Sequence, residues 1–201
     1  MTTKNFLHAS AGGYDGRMSM PWLVVTAAVA VSPLHLTLLF APDHPLPAAV
    51  RRAAVAEAAA IWSPYNVIVT GGEPLRTDRH DDVTLTVVLD PTPATTEQMW
   101  RAPLGAVDFD AAGAPLNIVT VFIVRLVAMI EEARLWHMPP QEWPRAIREQ
   151  VVGRAIGRVI AHEIGHVLLR TTGHAPHGLM RAVQRADELV DPARTRYRLP
   201  D

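Results

Sequence analysis

"HEIGHVLLRTTGHAPHGLM", His162–Met180, carries four histidines and one glutamate. His162 and His166 stand four residues apart, so on a helix both rings leave the same face about one turn apart. Two imidazoles in that arrangement can bind one zinc ion, Zn2+, at the usual distance of ~2.0–2.1 Å. Glu163 follows the first histidine and is set to reach an activated water rather than the metal. This is the logic of the helical HExxH motif, with two ligands and a general base. Zinc lowers the pKa of water toward ~7, and the carboxylate takes the proton as the water attacks a carbonyl.

A catalytic zinc takes a third protein ligand and keeps one position open. The sequence offers His174, His177 and Glu188. Gly173 is a natural helix stop, after which the chain can turn back with His174 leading. His177 lies three residues further on and reads as a surface loop residue; as a fourth ligand beside His174 it would instead close the site, giving a non-catalytic zinc- or peptide-binding protein. Glu188 lies twenty-two residues past His166, a spacing that fits a different class of zinc hydrolase.

Upstream, apolar residues Ile147, Val151, Ala155, Ile156, Val159 and Ile160 keep helical spacing, which predicts a helix from about Pro144 to Leu169. Gly153 and Gly157, one turn apart, mark a face for close helix packing. Arg145, Arg148, Arg154 and Arg158 read as its solvated face. A second helix is expected over 46–62, alanine-rich with Pro47 in its first turn and Ser63-Pro64 as its stop. Strands are expected over 34–41, 65–70 and 82–90. "LGAVDFD" (104–110) is a weak strand suited to a sheet edge. "NIVTVFIV" (117–124) is an apolar strand expected to be buried on both faces, followed by a helix over 125–136. A short helix is expected over 182–189. Trp62, Trp100, Trp136 and Trp143 read as packing residues. Asp108 and Asp110 offer a thin basis for a calcium site.

The chain has 201 residues, of which 49% are hydrophobic and 19% charged, and its net charge is −1. That suits a single globular domain with a core of its own, and it gives no basic face for nucleic acid. Cysteine is absent, so a metal must use His, Asp or Glu, and no thiol nucleophile exists. Residues 1–33 form a separate N-terminal segment, and 34–201 the catalytic domain. The run Trp22–Val31 has the length of a signal-peptide core, with Ala28-Val29-Ala30 as a small-x-small cleavage pattern, which predicts a secreted or exported protein. It is too short to span a bilayer.

The stretch 162–180 resembles the zinc-binding segment of metzincin metalloproteases, the matrixins among them, in which HExxHxxGxxH precedes a Met-turn. His162, Glu163 and His166 match directly. The resemblance implies His174 as third ligand, two residues later than the pattern, where Leu169 and Thr172 replace its glycine and histidine. It implies Met180 as the Met-turn residue, forming a floor beneath the metal. The order of elements over 34–181 is also similar, implying an α/β (α+β) fold: a twisted mixed sheet with an edge strand, two main helices including the HExxH helix, and a small C-terminal segment. It further implies an endopeptidase whose extended peptide substrate pairs with the edge strand at Leu104, Gly105 and Ala106. Arg181-Ala182 stand where some metzincins carry a tyrosine.

Overall fold

The computed structural model describes residues 32–72, 82–93, 102–135 and 137–200. The predicted N-terminal signal segment, Trp100 and Trp136 lie outside these. Five strands and four α-helices follow in the order β1 (Leu34–Phe40), α1 (Ala48–Trp62), β2 (Val67–Gly71), β3 (Asp82–Asp90), β4 (Gly105–Phe109), β5 (Pro115–Phe122), α2 (Ile123–Glu132), α3 (Arg145–Leu169) and α4 (Ala186–Val190). The fold is mixed α/β, built on one five-stranded sheet of order β2-β1-β3-β5-β4. β1, β2, β3 and β5 pair in parallel, and β4 pairs antiparallel with β5 at one edge. Among the described residues no helix is long and apolar enough to cross a membrane.

The sheet has one buried face. Leu36, Leu38, Leu85, Val87, Val119 and Val121 are fully buried, whereas Ile68, Leu116 and Ile118 are at least 40% exposed. This corrects the expectation for the last strand: along β5 burial alternates, so only its Val119–Val121 side enters the core. The strand also pairs as far back as Pro115, opposite Phe109, and gives way to α2 directly at Ile123. α2 therefore starts and stops earlier than its apolar pattern suggests.

The core is closed by α1 crossing α3 at very short range. A methyl group added at Gly157 would sit 2.4 Å from the Ala54 carbonyl oxygen, and one at Gly153 would sit 2.5 Å from Ala53 Cβ. The two glycines and the alanine-rich face of α1 are thus one feature: small residues on both helices let the backbones approach. Trp62 seals the end of this crossing, donating from Nε1 to the Ala161 carbonyl at 3.0 Å. Trp62 and Trp143 are both buried, as packing residues should be.

The arginine series on α3 does not form a uniform solvated face. Arg145 does, pairing with Glu149 one turn on at the surface. Arg158 is fully buried. It donates from Nε to Glu57 Oε1 at 2.9 Å, from Nη1 to the Glu188 carbonyl and from Nη2 to the Ala193 carbonyl at 2.8 Å. Its guanidinium stacks 4.3 Å from the centre of the Tyr197 ring. A buried charge of this kind is tolerated only when paired and fully hydrogen-bonded. Here it ties the C-terminal segment to both main helices. Asp110 likewise has a structural role, since its Oδ1 accepts from the N–H groups of Ala112 and Ala114 in the β4–β5 turn.

Candidate metal centre and cleft

The C-terminal third of α3 is buried on every side that the site uses. His162, Glu163 and His166 are 7%, 4% and 7% exposed. The helix then stops at Leu169, where the apolar spacing predicts its end, and the turn falls before Gly173. Arg170 adopts the left-handed conformation at φ 48°. The Thr171 N–H reaches back to the His166 carbonyl at 3.2 Å and the Arg170 N–H to that of Val167 at 3.4 Å, the pairing of a Schellman cap. The left-handed residue of such a cap is usually glycine. Here it is an arginine, which is why the glycine rule pointed three residues too far along. The extra residues before His174 therefore belong to the loop and not to a longer helix.

That sharp turn also orients a histidine. The Thr171 carbonyl comes back over the helix end and accepts from His166 Nδ1 at 2.6 Å. His162 Nδ1 donates to the Leu179 carbonyl at 2.7 Å. A carbonyl oxygen only accepts, so both Nδ1 atoms carry the proton. In the neutral rings both Nε2 atoms are then lone-pair acceptors. These two atoms face each other at 3.1 Å. Two acceptors at that distance repel unless a cation lies between them. Two nitrogens bonded at ~2.0–2.1 Å to one tetrahedral ion would stand roughly 3.3 Å apart.

His174 joins the pair. Its ring stacks on that of His162, with centroids 5.3 Å apart, and lies edge-on to that of His166 at 5.0 Å. The three residues form a group that could hold a metal ion, their ligand atoms all within 4.8 Å of one another. His174 is exposed where the helix-borne pair is buried. The electrostatics keep the two helix-borne imidazoles neutral. Burial pushes the His162 pKa down to about 4, and burial also lowers that of His166.

Met180 lies under the centre. A methyl group added to Gly165, between the two helix-borne histidines, would come within 2.2 Å of Met180 Sδ. The glycine thus admits the thioether against the helix backbone. The Met180 turn is pinned from both sides: its carbonyl accepts from the Ala175 N–H at 2.8 Å, and the Leu179 N–H donates to the Arg198 carbonyl at 2.7 Å. His177 is exposed and stands outside the histidine group, so among the described residues no fourth protein ligand closes it.

Glu188 is also outside the group. It is buried, and both its oxygens are taken: Oε1 accepts from Arg181 and from Arg196 at 2.5 Å, and Oε2 from Arg181 and from the Arg185 N–H at 3.2 Å. The alternative in which Glu188 serves as third ligand is thereby corrected. Its carboxylate is spent on guanidinium groups.

A cleft of about 480 Å³ opens over the histidines. It is lined by Leu104, Gly105, Ala106 and Val107 of the edge strand and its approach, by Val159, His162, Glu163 and His166 of α3, and by residues 181–184. Gly105 sets how closely strand and helix meet, because a methyl group there would fall 2.6 Å from Glu163 Oε1 and 2.7 Å from Val159 Cγ1. Burial alone raises the Glu163 pKa to about 8. A bound cation would pull it back toward the carboxylate form.

The edge strand presents its free side here. The Phe122 N–H donates to the Leu104 carbonyl at 2.9 Å. By antiparallel alternation, Leu104 and Ala106 turn their backbone groups to β5, whereas Gly105 and Val107 turn theirs away from it. Of the three strand residues named from the sequence, all line the cleft, but Gly105 is the one whose backbone groups face away from β5 and have no partner among the described residues. Val107 joins it. Sequence reading also missed Arg181, which lines the cleft directly after Met180. The one available signal was an arginine following the apolar pair Leu179-Met180. Comparisons with protein-family models, with curated proteins and with solved structures found no match.

Proposed function

We propose that this chain is a zinc-dependent endopeptidase of metzincin-like design. One observation carries the reading: the two Nε2 atoms of His162 and His166, left without protons because the carbonyl partners hold each ring's proton on Nδ1, point at each other at 3.1 Å beside a buried glutamate. His162, His166 and His174 would hold the metal. A set of three imidazoles with an open fourth position suits zinc at a catalytic centre. Zinc, when bound, supplies a Lewis acid that polarises a carbonyl and brings the pKa of water to ~7.

The remaining chemistry falls to the chain itself. Glu163 accepts the proton of the attacking water and then delivers it to the leaving amine. Its closeness to Gly105 puts that carboxylate beside the edge strand, where an extended peptide would add a strand to the sheet. The outward backbone groups of Gly105 and Val107 would hold such a peptide in register. This pairing favours peptides over small molecules. The Leu179 and Thr171 carbonyls keep both helix-borne imidazoles in the ligating tautomer. Met180 fills the space behind them. The element order, the antiparallel edge strand and the methionine below the histidines support the metzincin likeness.

The test is cleavage of a mixed peptide pool by zinc-loaded protein, with products read by mass spectrometry. Glu163→Gln should retain the metal and lose activity by roughly 10²–10⁴-fold, the usual weight of a general base. An unchanged rate in Glu163→Gln would remove the proposed mechanism.

A further inference from the structure

Arg181 stands out among the residues that line the cleft. Apart from the histidines and Glu163, it is the only charged side chain there among the described residues. Its position is fixed, because both Nη atoms donate to the carboxylate of Glu188, which is 4% exposed. Such a two-point clamp holds the planar guanidinium in one orientation. The arginine itself is 30% exposed at its side chain, so it faces both the buried carboxylate and the solvent.

Its charge is not cancelled. Glu188 divides its negative charge between Arg181 and Arg196, whose Nη1 lies 2.5 Å from Oε1. The nearby Asp187 pairs with Arg185 at 3.1 Å. Three arginines therefore meet two carboxylates, so the cluster carries one net positive charge, and Arg181 is its member that lines the cleft. Donors are left over as well. A guanidinium has five N–H groups, and among the described residues Arg181 directs its hydrogen bonds to Glu188 alone, one from each Nη. Its Nε is buried, so the donors open to a ligand are the second N–H of Nη1 and of Nη2. Were Arg181 present only to neutralise Glu188, it would have no reason to border the cleft, since Arg196 already serves that carboxylate from outside.

We infer that Arg181 is a specificity-determining residue, and that it receives a carboxylate of the substrate. This rests on the peptidase reading above and deepens it. The carboxylate has two sources, an acidic side chain near the scissile bond or the free C-terminus of a peptide. Among the described residues no other acid than Glu163 lines the cleft to oppose it.

The test compares zinc-loaded protein on matched peptides. One arm pairs Glu with Gln and Asp with Asn at each position flanking the cut. The other pairs a free C-terminal acid with its amide. Wild type should favour the carboxylate member in one arm by roughly tenfold in kcat/KM, as expected for a charge-assisted hydrogen bond at a half-exposed site. The responding arm identifies the source. In Arg181→Gln the ratio should collapse toward one. If that variant fails to fold with Glu188 half-paired, the double variant Arg181→Gln/Glu188→Gln removes both charges and is read by the same ratio. Equal cleavage of both members by wild type, or a preference that survives loss of Arg181, would overturn the inference alone. If zinc-loaded wild type cuts no peptide in either arm, the peptidase reading falls and takes this inference with it.

Discussion

The two histidines carried by α3 and the one carried by the following loop are held by different means. His162 and His166 are buried in a helix that packs on α1, and each has its Nδ1 fixed by a backbone carbonyl. His174 is exposed, and its loop is shaped by few bonds: the Schellman cap at Arg170, the Gly173 N–H on Thr171 Oγ1 at 3.0 Å, and the pairing of Ala175 with Met180. Packing sets the first pair, and a chain of local hydrogen bonds sets the third histidine. The comparison goes one step further, because the loop depends on the C-terminal segment. Arg198 holds Leu179, Leu179 holds His162, and Arg158 holds the segment to α3.

Breaking that last anchor should have the largest effect on stability. Arg158→Met leaves Glu57 buried with only Arg194 as partner, at 2.8 Å and half in solvent. A loss of about 3–5 kcal/mol is expected, measured by urea unfolding of the metal-free protein. Arg158→Met with Glu57→Met should recover most of it. A loss under ~1 kcal/mol would mean the segment is held by apolar contacts and not by the ion pair.

The contact between the two regions can be probed at Gly165. Gly165→Ala puts a methyl group into the space of Met180 Sδ and must push the turn away from the helix. The cost should be about 1–3 kcal/mol, with weaker metal binding, because Leu179 then moves off His162 Nδ1. Adding Met180→Ala should restore part of the stability. Retention of both stability and affinity in the single variant would show that the two regions are not coupled through this packing.

The smallest effect is expected at the cap. Arg170→Gly relieves a left-handed residue and should stabilise the fold by about 1 kcal/mol without changing metal affinity. A destabilised variant would show that the arginine side chain contributes more than its backbone strain costs.

The same contrast explains what was legible in the sequence. The α3 pattern, the strand segments and the close packing at Gly153 and Gly157 follow from local periodicity and residue size, and they stand in the structure. So does the juxtaposition of His162, His166 and His174. The helix end at Leu169 stands as well; only the turn residue departs from the glycine rule, because glycine is a strong but not obligatory marker of the left-handed state and Arg170 takes it. The two-sided burial expected of β5 failed because apolar composition does not reveal which sheet face the helices cover. Arg158 was opaque for another reason. Its carbonyl and carboxylate acceptors lie 30 or more residues away. No local pattern distinguishes an arginine that goes inward from one that goes to water.

Zinc binding to metal-free protein, followed by titration calorimetry on wild type, His174→Ala and His177→Ala, tests the central claim most directly. The account predicts one zinc per chain in wild type and in His177→Ala, and affinity at least roughly a hundredfold weaker in His174→Ala, since a ligand should matter no less than its supporting shell. Unchanged binding by His174→Ala would contradict it, because the helix-borne pair would then be completing its site with something other than the loop histidine.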